Sequence, residues 1–369
     1  MAEFMVPCLF GLEGPAAEEL RRMDLQDVRA ENGRVRFRGD VLACAKANLR
    51  LRTGERVLLC LGSFPARDFD QLFEGVKALP LADYIPAEGQ FPVKGYCLNS
   101  ALSSVPACQR TVKKAAALAL GRAYGMQTLP ETGDLYQIQF SIIKDRAEIF
   151  LDTTGAPLFK RGYRPGHVAA PLRETLAVGL VGFARYRGRD AFWDPFCGSG
   201  TIPIEAALIA RNRAPGLSRT FAAQKWPFAP APVWREAAEE ARSLEYHGEY
   251  HIFASDIDPK AVALSRENAR RAGVAEDITF SVADVRTAAV PAEKGVIVCN
   301  PPYGERMLER DEARALYRDF GAVSGPWTGW KRFIICSDGD FERFFGRPAD
   351  KKRKLYNGML QCNLYMYFA

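Results

Sequence analysis

The second half of the chain alternates short apolar runs with helical patterns, and this alternation constrains the fold more strongly than any other feature. The apolar runs are residues 191–196, 251–256, 278–283, 296–299 and 333–337. Strands that are apolar along their whole length are typical of parallel sheets, because helices cover both faces of such sheets. A last pair of strand-like runs flanks Asn357-Gly358, a dipeptide that favours a tight turn. The sequence therefore predicts an α/β domain whose parallel sheet ends in an antiparallel hairpin.

Two smaller α+β segments precede this domain. Residues 1–62 follow the order βαββαβ, with a hairpin that turns at Asn32-Gly33 and a helix that begins after Asp40, a favourable N-cap residue. This order predicts a ferredoxin-like sandwich. The next segment has helical patterns and strand-like runs at residues 68–79, 90–98, 106–124, 135–143 and 147–152. We therefore expect three domains, at residues 1–62, 63–160 and 161–369.

Composition limits the location and the partners of the chain. No apolar run approaches the roughly 18 residues that span a bilayer, and the N-terminus lacks the basic region of a secretory signal. The nine cysteines are scattered without a Cys-x-x-Cys pair, which indicates reduced thiols and a cytoplasmic protein. A net charge of +6 mildly favours a polyanionic partner. His247 and His251 have no third ligand near them in the sequence, so we expect no metal site.

A glycine-containing loop stands between the strand that begins at residue 191 and the helix that follows it. Glycines let the backbone approach a ligand closely, and the start of the helix offers free N–H groups. Such a loop at the carboxyl end of a strand is the expected binding crevice of an open α/β sheet. The predicted cofactor-binding residues of this loop are Asp194, Pro195, Phe196, Cys197, Gly198, Ser199, Gly200 and Thr201.

Two acids follow the next two strands. Asp256 can accept hydrogen bonds from the ribose hydroxyls of a nucleoside cofactor, and Asp284 can accept one from an adenine amino group. Ile257 can pack on the face of the adenine ring. The alternative for both acids is capping of a helix, although Asp258, directly before Pro259, suits that role better than Asp256.

The tetrad Asn300-Pro301-Pro302-Tyr303 directly follows the apolar run 296–299. Consecutive prolines hold an extended turn, which places the Asn300 side chain and the Pro301 carbonyl at the edge of the sheet. An exocyclic amine on a base is a poor nucleophile because its lone pair is delocalised into the ring. Two oxygen acceptors can hold both amine hydrogens and direct the lone pair towards a methyl donor. Tyr303 can offer an aromatic face for an extruded base.

The middle segment resembles the THUMP domain, an RNA-binding module of RNA-modifying enzymes. The resemblance lies in FPVKGYCLNSALSSVPACQRTVKKA, residues 91–115, and in the later string LDTTGAPLFKRGYR. It implies RNA contacts at Lys94, Ser100, Gln109 and Lys113. The basic pair Lys160-Arg161, at the start of the linker of residues 160–171, is a further candidate for RNA binding.

The combination of DPFCGSGT, NPPY, the upstream THUMP-like segment and the string APLRETLA at 170–177 resembles the THUMP-domain class I methyltransferases that methylate guanine N2 in RNA. The likeness is to the RlmL-type enzymes of 23S ribosomal RNA, with a single methyltransferase domain. It implies a Rossmann-like catalytic domain that uses S-adenosyl-L-methionine (SAM) and releases S-adenosylhomocysteine. It also implies that Pro171 and Leu172 border the cofactor, and a monomer is favoured.

Three alternatives to guanine N2 in 23S RNA stay open. The acceptor can be guanine N2 of a tRNA, or adenine N6, because the tetrad does not distinguish guanine from adenine. The chain can also be a non-catalytic RNA-binding or ribosome-assembly protein. The intact Asn300-Pro301-Pro302-Tyr303 and the pair Gly198 and Gly200 argue against the last of these.

Overall fold

The computed structural model describes residues 1–164, 172–304 and 307–368, without the side chains of residues 307 and 308. The described chain forms two seven-stranded sheets, each with helices packed on it. No helix within these ranges is both long and apolar enough to cross a membrane. Each half has a core of its own, and a segment of the second half also packs into the core of the first.

The first half contains seven strands and four helices. Its strands are β1 (Ala2–Pro7), β2 (Gln26–Glu31), β3 (Arg34–Gly39), β4 (Leu58–Pro65), β5 (Val93–Leu98), β6 (Ile138–Ile143) and β7 (Arg146–Asp152). Its helices are α1 (Glu13–Arg21), α2 (Val41–Arg50), α3 (Phe69–Lys77) and α4 (Val105–Tyr124). The hairpin at Asn32-Gly33 is confirmed, and so is the Asp40 cap, whose carboxylate accepts a hydrogen bond from the Ala43 N–H at 2.8 Å.

The strands of the first half form one continuous sheet in the order β2-β3-β1-β4-β7-β6-β5. β4 pairs with β1 on one side and with β7 on the other, all antiparallel, so the sheet runs unbroken past the predicted boundary at residue 62. Only β5 is parallel to its neighbour β6. Backbone hydrogen bonds therefore join the ferredoxin-like and THUMP-like segments into one sheet.

The second half contains the predicted parallel sheet. Its strands are β8 (Ala191–Asp194), β9 (Ile252–Asp256), β10 (Ile278–Val282), β11 (Gly295–Cys299), β12 (Trp330–Cys336), β13 (Lys351–Asn357) and β14 (Leu360–Tyr367). Its helices are α5 (Glu174–Phe183), α6 (Thr201–Ala210), α7 (Ala231–Ser243), α8 (Pro259–Ala272), α9 (Met307–Ser324) and α10 (Phe341–Phe345). The order is β10-β9-β8-β11-β12-β14-β13, with β14 antiparallel to β12 and to β13. The parallel sheet with a terminal antiparallel hairpin is confirmed.

The segment between α6 and β9 belongs to the second half in sequence but packs into the core of the first. Trp226 and Trp234 are buried there, and the Trp226 ring stacks on Tyr136 with the ring centroids 4.9 Å apart. The Trp226 indole N–H also donates to the Leu135 carbonyl at 3.0 Å. This insertion therefore fastens the two halves to each other.

Candidate functional site

The glycine loop after β8 is held in one conformation by its own backbone and by α8. Gly200 has a φ of +85°, and a Cβ placed on it would lie 2.2 Å from the Ser265 hydroxyl oxygen. Only glycine fits that position without a shift of its neighbours. Gly198 has a φ of +49° with open space where its Cβ would be, and the Asn268 amide donates to the Ser199 carbonyl at 2.9 Å. The loop thus presents bare backbone at the start of α6.

Two carboxylates lie at the base of this loop. Asp194, at the end of β8, is buried and accepts a hydrogen bond from the Phe196 N–H at 3.1 Å. Burial raises the pKa of Asp194 well above its usual range, and the nearby Asp256 carboxylate raises it further. Asp256 accepts one hydrogen bond on each oxygen, from the Gly198 N–H at 2.9 Å and from the Asp258 N–H at 3.0 Å. A carboxylate oxygen can accept more than one hydrogen bond, so Asp256 keeps capacity for a ligand.

Apolar side chains stand open to solvent beside these acids. Ile257, directly after β9, is 61% exposed, and Val282, the last residue of β10, is 56% exposed. Asp284 lies two residues beyond Val282, and its carboxylate is held by the Arg286 guanidinium at 2.6 to 2.9 Å. That hydrogen bonding lowers the pKa of Asp284. Apolar surface next to hydrogen-bond acceptors suits a nucleoside, whose ring is flat and apolar and whose edges are polar.

The tetrad after β11 lies next to the glycine loop because β11 and β8 are neighbours. The register pairs Ile297 with Trp193, one residue before Asp194. Adjacent strands are about 4.8 Å apart, so both loops leave the same edge of the sheet side by side. The structure therefore brings together the two motifs that the sequence analysis singled out.

The interior of the tetrad differs from the expectation. The Tyr303 hydroxyl donates a hydrogen bond to the Asn300 side-chain oxygen, and the Cys362 Sγ lies 3.9 Å from the same hydroxyl. The Tyr303 ring packs partly buried between the two cores of the second half. Burial raises the pKa of Tyr303 well above its usual range. Tyr303 thus orients Asn300, and in this conformation its ring is not the open stacking face that the sequence suggested.

Tyr317 contacts the Asn300-Pro301-Pro302-Tyr303 turn, which the sequence did not indicate. It is fully buried on α9, and its hydroxyl donates to the Pro302 carbonyl at 2.7 Å. The Cys336 thiol in turn lies 3.4 Å from that hydroxyl. Nothing in the sequence of α9 separates this tyrosine from an ordinary core residue, so only the tertiary contact reveals it.

A buried network of charges lies where the linker meets the glycine loop. The Arg164 guanidinium donates to the Glu174 carboxylate and, at 3.0 Å, to the Thr201 hydroxyl at the start of α6. Leu172 is buried beside it, whereas Pro171 lies outside the described residues. Arg161 is also buried, 3.6 Å from Glu205, and it donates to the Leu158 and Arg52 carbonyls. The expectation that Arg161 contacts RNA is therefore wrong, because its side chain is used inside the protein.

The other residues expected to bind RNA differ in their freedom. Lys94 is exposed on the edge strand β5, and Lys160 is exposed in the linker. Lys113 is held by Glu131 at 2.6 Å and lies over the Phe91 ring. The Gln109 amide donates to the Val93 carbonyl at 3.4 Å, and the Ser100 hydroxyl donates to the Leu98 carbonyl at 3.0 Å. Lys94 and Lys160 are thus the candidates whose charges are open to a partner.

The fold and the site define a class of protein. A parallel sheet closed by an antiparallel hairpin, with a glycine loop after one strand and an Asn-Pro-Pro-Tyr turn after its neighbour, is the architecture of a class I methyltransferase. Residues 161–366 match the family described as the RMKL-like methyltransferase domain. Residues 3–58 match the RlmL ferredoxin-like domain, and residues 66–152 match the THUMP domain. The chain therefore belongs to the RMKL-like methyltransferase family, which confirms the resemblance.

Individual relatives extend over most of the chain. It is 42% identical over 362 residues to a Bacillus subtilis (strain 168) protein named "Putative RNA methyltransferase YpsC", covering 97% of this chain and 94% of the relative. It is 32% identical to the ribosomal RNA large subunit methyltransferase K/L of Psychromonas ingrahamii, where the match covers 100% of this chain but only 50% of the relative. The solved structure of SMU.472 complexed with SAH superposes with a TM-score of 0.94 at 38% identity, covering 100% of this chain and 98% of that one.

Proposed function

We propose that the protein is a SAM-dependent methyltransferase that modifies the exocyclic N2 amine of a guanosine in structured RNA, with 23S ribosomal RNA as the substrate. The observation that carries the proposal is the adjacency of the Asn300 turn and the glycine loop at one edge of the sheet. An amine held at the first and a methyl donor bound at the second would face each other. The class I fold alone does not define this chemistry, because folds of this kind serve many reactions.

The residues at this edge fit SAM. The open space at Gly198 and the free N–H groups at the start of α6 suit the polar amino-acid part of the cofactor. Asp256 has acceptor capacity for ribose hydroxyls, and the exposed Ile257 and Val282 side chains suit an adenine ring. Asp284 can take the adenine amino group if Arg286 yields part of its carboxylate. SMU.472, which shares this fold and 38% identity, is complexed with SAH, and this supports the choice of cofactor.

The reaction depends on how the turn holds the acceptor amine. When bound, SAM supplies a methyl group on a positively charged sulfur. The Asn300 side-chain oxygen and the Pro301 carbonyl accept the two amine hydrogens, which frees the nitrogen lone pair from the ring. Tyr303 fixes the orientation of the Asn300 amide, and Tyr317 holds the Pro302 carbonyl, one residue after Pro301, by a hydrogen bond. No strong general base is needed, since the methylated amine loses its proton to solvent.

The substrate class follows from the first half and from the relatives. The THUMP domain shares one sheet with the ferredoxin-like segment, and the insertion between α6 and β9 of the methyltransferase domain packs into their core. The relatives are named as an RNA methyltransferase and a ribosomal RNA large subunit methyltransferase, which supports RNA and in particular ribosomal RNA. The chain spans about half the length of the K/L relatives, so the choice of 23S RNA and of guanine N2 belongs to the proposal.

The test uses 23S ribosomal RNA from a strain that lacks the gene. Purified protein and SAM should produce N2-methylguanosine in that RNA, measured by mass spectrometry of the nucleosides. Asn300→Ala should reduce the rate at least about a hundredfold, because an acceptor used in the transition state is lost. SAM affinity, measured by calorimetry, should stay within about twofold. Asn32→Ala, in the β2–β3 turn, is the matched control and should act at the wild-type rate.

Two results would contradict the proposal. N6-methyladenosine in place of N2-methylguanosine would move the acceptor to adenine while keeping the site. A near-normal rate of methyl transfer by Asn300→Ala would show that the turn has no catalytic role.

A further inference from the structure

A large cleft opens at the edge of the second sheet opposite to the glycine loop and the Asn300 turn. It has a volume of about 870 Å³ and lies between the two halves of the molecule. Its walls come from α1, from the segment that joins α5 to β8, and from the segment that joins α7 to β9. The last two segments lead into the N-terminal ends of the parallel strands β8 and β9. The proposed catalytic loops instead follow the C-terminal ends of β8 and β11. The cleft is therefore a separate surface.

The segment between α5 and β8 carries Arg185, Arg187 and Arg189 within five residues. All three side chains are exposed, and in the part of the chain that the structure describes none of them forms an ion pair. The other arginines of the cleft are held by neighbours: Arg22 pairs with Glu18, Arg50 pairs with Glu240, and the Arg52 guanidinium donates to the Arg213 carbonyl at 2.9 Å. The wall formed by this segment thus carries three arginines outside the ion pairs of the described residues, against one acidic residue, Asp190.

The backbone of this segment packs against the second sheet, so the three arginines leave it at defined positions. Tyr186 is buried between the arginines, with its ring 4.8 Å from Phe192 on β8. Gly188 has a φ of +82°, and a Cβ on it would lie 3.0 Å from the Tyr250 ring. Arg185 follows the end of α5, where a cation is favourable for the helix dipole. Arg187 and Arg189 lie beyond that helix, so its dipole does not account for them.

Aromatic side chains line the adjoining wall. Tyr246 is 61% exposed, and the Tyr250 hydroxyl donates to the Tyr246 carbonyl at 3.3 Å. His247 is exposed between them. Guanidinium groups bind phosphate oxygens and exposed tyrosines stack on bases, and the two together are the elements of a surface for single-stranded or irregular nucleic acid.

We propose that this cleft, bounded by Arg185, Arg187, Arg189 and Tyr246, is a second RNA-binding surface that holds the phosphate backbone of the substrate away from the target base. The proposal rests on the proposed function, since the RNA is the one that is methylated. The substrate must then extend around the molecule from one edge of the second sheet to the other. A large folded RNA such as 23S RNA can do this.

The test compares three variants in binding to deproteinised 23S RNA at several salt concentrations. Each phosphate contact contributes about 0.7 to 0.9 to the slope of log affinity against log salt, so R185Q/R187Q/R189Q should lower that slope by about two and the affinity at least tenfold. Tyr246→Leu should lower the affinity about fivefold or more without a change in slope, because stacking releases no ions. R318Q/K331Q/R343Q removes the same charge from exposed positions on α9, β12 and α10 and should change neither quantity.

The outcomes separate this surface from the proposed function. An unchanged slope and affinity in the arginine variant, or equal losses in it and in the control, would overturn the proposal and leave a protein partner as the occupant of the cleft. Methyl transfer by the wild-type protein is measured in parallel. If the wild type methylates 23S RNA but the arginine variant binds normally, only the second surface fails. If the wild type neither binds nor methylates that RNA, the proposed function fails with it.

Discussion

At the scale of single residues, the hydrogen bond from the Tyr303 hydroxyl to the Asn300 oxygen gives the fourth residue of the turn a specific task. Asn300 must keep its oxygen, and not its NH₂ group, directed at the acceptor amine. A hydroxyl that donates to that oxygen holds the amide in one orientation, and burial keeps the Tyr303 hydroxyl protonated by raising its pKa. Tyr303 is in this sense a positioning residue.

Tyr303→Phe should therefore slow methyl transfer without weakening SAM binding. A hydrogen bond of this kind contributes about 1 kcal/mol, which corresponds to about a fivefold lower kcat. Single-turnover rates and SAM calorimetry measure the two effects separately. Tyr124→Phe removes a hydroxyl that donates to the Ile85 carbonyl in the first half, and it should alter stability but not rate. An equal rate in Tyr303→Phe would contradict the positioning role of the hydroxyl, and a faster rate would show that it competes with the substrate for Asn300.

Gly200 is the residue of the glycine loop that tolerates substitution least. Gly200→Ala should lower SAM affinity at least tenfold, because the new Cβ meets the Ser265 hydroxyl and the φ of +85° is strained for alanine. Gly346→Ala is the matched control, since Gly346 has a φ of +86° with nothing within 4 Å of the added Cβ. Calorimetry of SAM binding distinguishes them. Equal SAM affinity in the Gly200 variant would mean that the loop can move aside.

At the scale of elements, the continuous first sheet ties the ferredoxin-like and THUMP segments together. Backbone pairing between β4 and β7 is the main link. Glu148 on β7 adds a second link, since it pairs with Arg34 at 2.5 Å and also with Arg36, both on β3. Burial alone would raise the pKa of Glu148, but hydrogen bonds and charges from the two arginines exceed that effect and lower it.

Glu148→Gln should destabilise the protein by about 1–2 kcal/mol at pH 7, between the values for exposed and for buried ion pairs. Because the folded protein lowers this pKa, the stabilisation is full above the pKa of the unfolded chain and disappears as the pH falls through the folded value. The difference in Tm between variant and wild type should thus shrink in acid. Glu18→Gln, which breaks the exposed pair with Arg22, should give almost no difference at either pH. A Tm difference that stays constant from pH 7 to pH 3 would contradict this account.

At the scale of the whole molecule, the insertion between α6 and β9 makes the two halves depend on each other. The second half contributes Trp226, Trp234 and Phe221 to the core of the first. The first half and the proposed catalytic half are therefore coupled through a packed interface.

A fragment of residues 161–369 should consequently be poorly soluble, because it would expose these three aromatic side chains. In the full chain, Trp226→Ala should lower the stability by about 3–5 kcal/mol. Thermal melting and soluble yield measure both effects. A monodisperse fragment with a sharp melting transition would show that the insertion can fold without the first half.

The amino-acid sequence by itself determined the features that depend on local pattern. Apolar periodicity defined the parallel sheet, Asn32-Gly33 and Asn357-Gly358 defined two hairpins, and residue chemistry at strand ends singled out the glycine loop and the Asn300 turn. Each of these signals lies within a few residues of what it predicts, so no knowledge of distant neighbours was required.

The tertiary structure alone decided what depends on contacts between distant residues. Five features join parts of the chain that are far apart in sequence. They are the single sheet of the ferredoxin-like and THUMP segments, the packing of the insertion into the core of the first half, the burial of Arg161, the Tyr317 contact and the arginine cleft. The sequence around an arginine or a tyrosine does not distinguish a side chain that is buried in a hydrogen-bond network from one that is open to a ligand. Only the packing of the whole chain fixes which of the two it is.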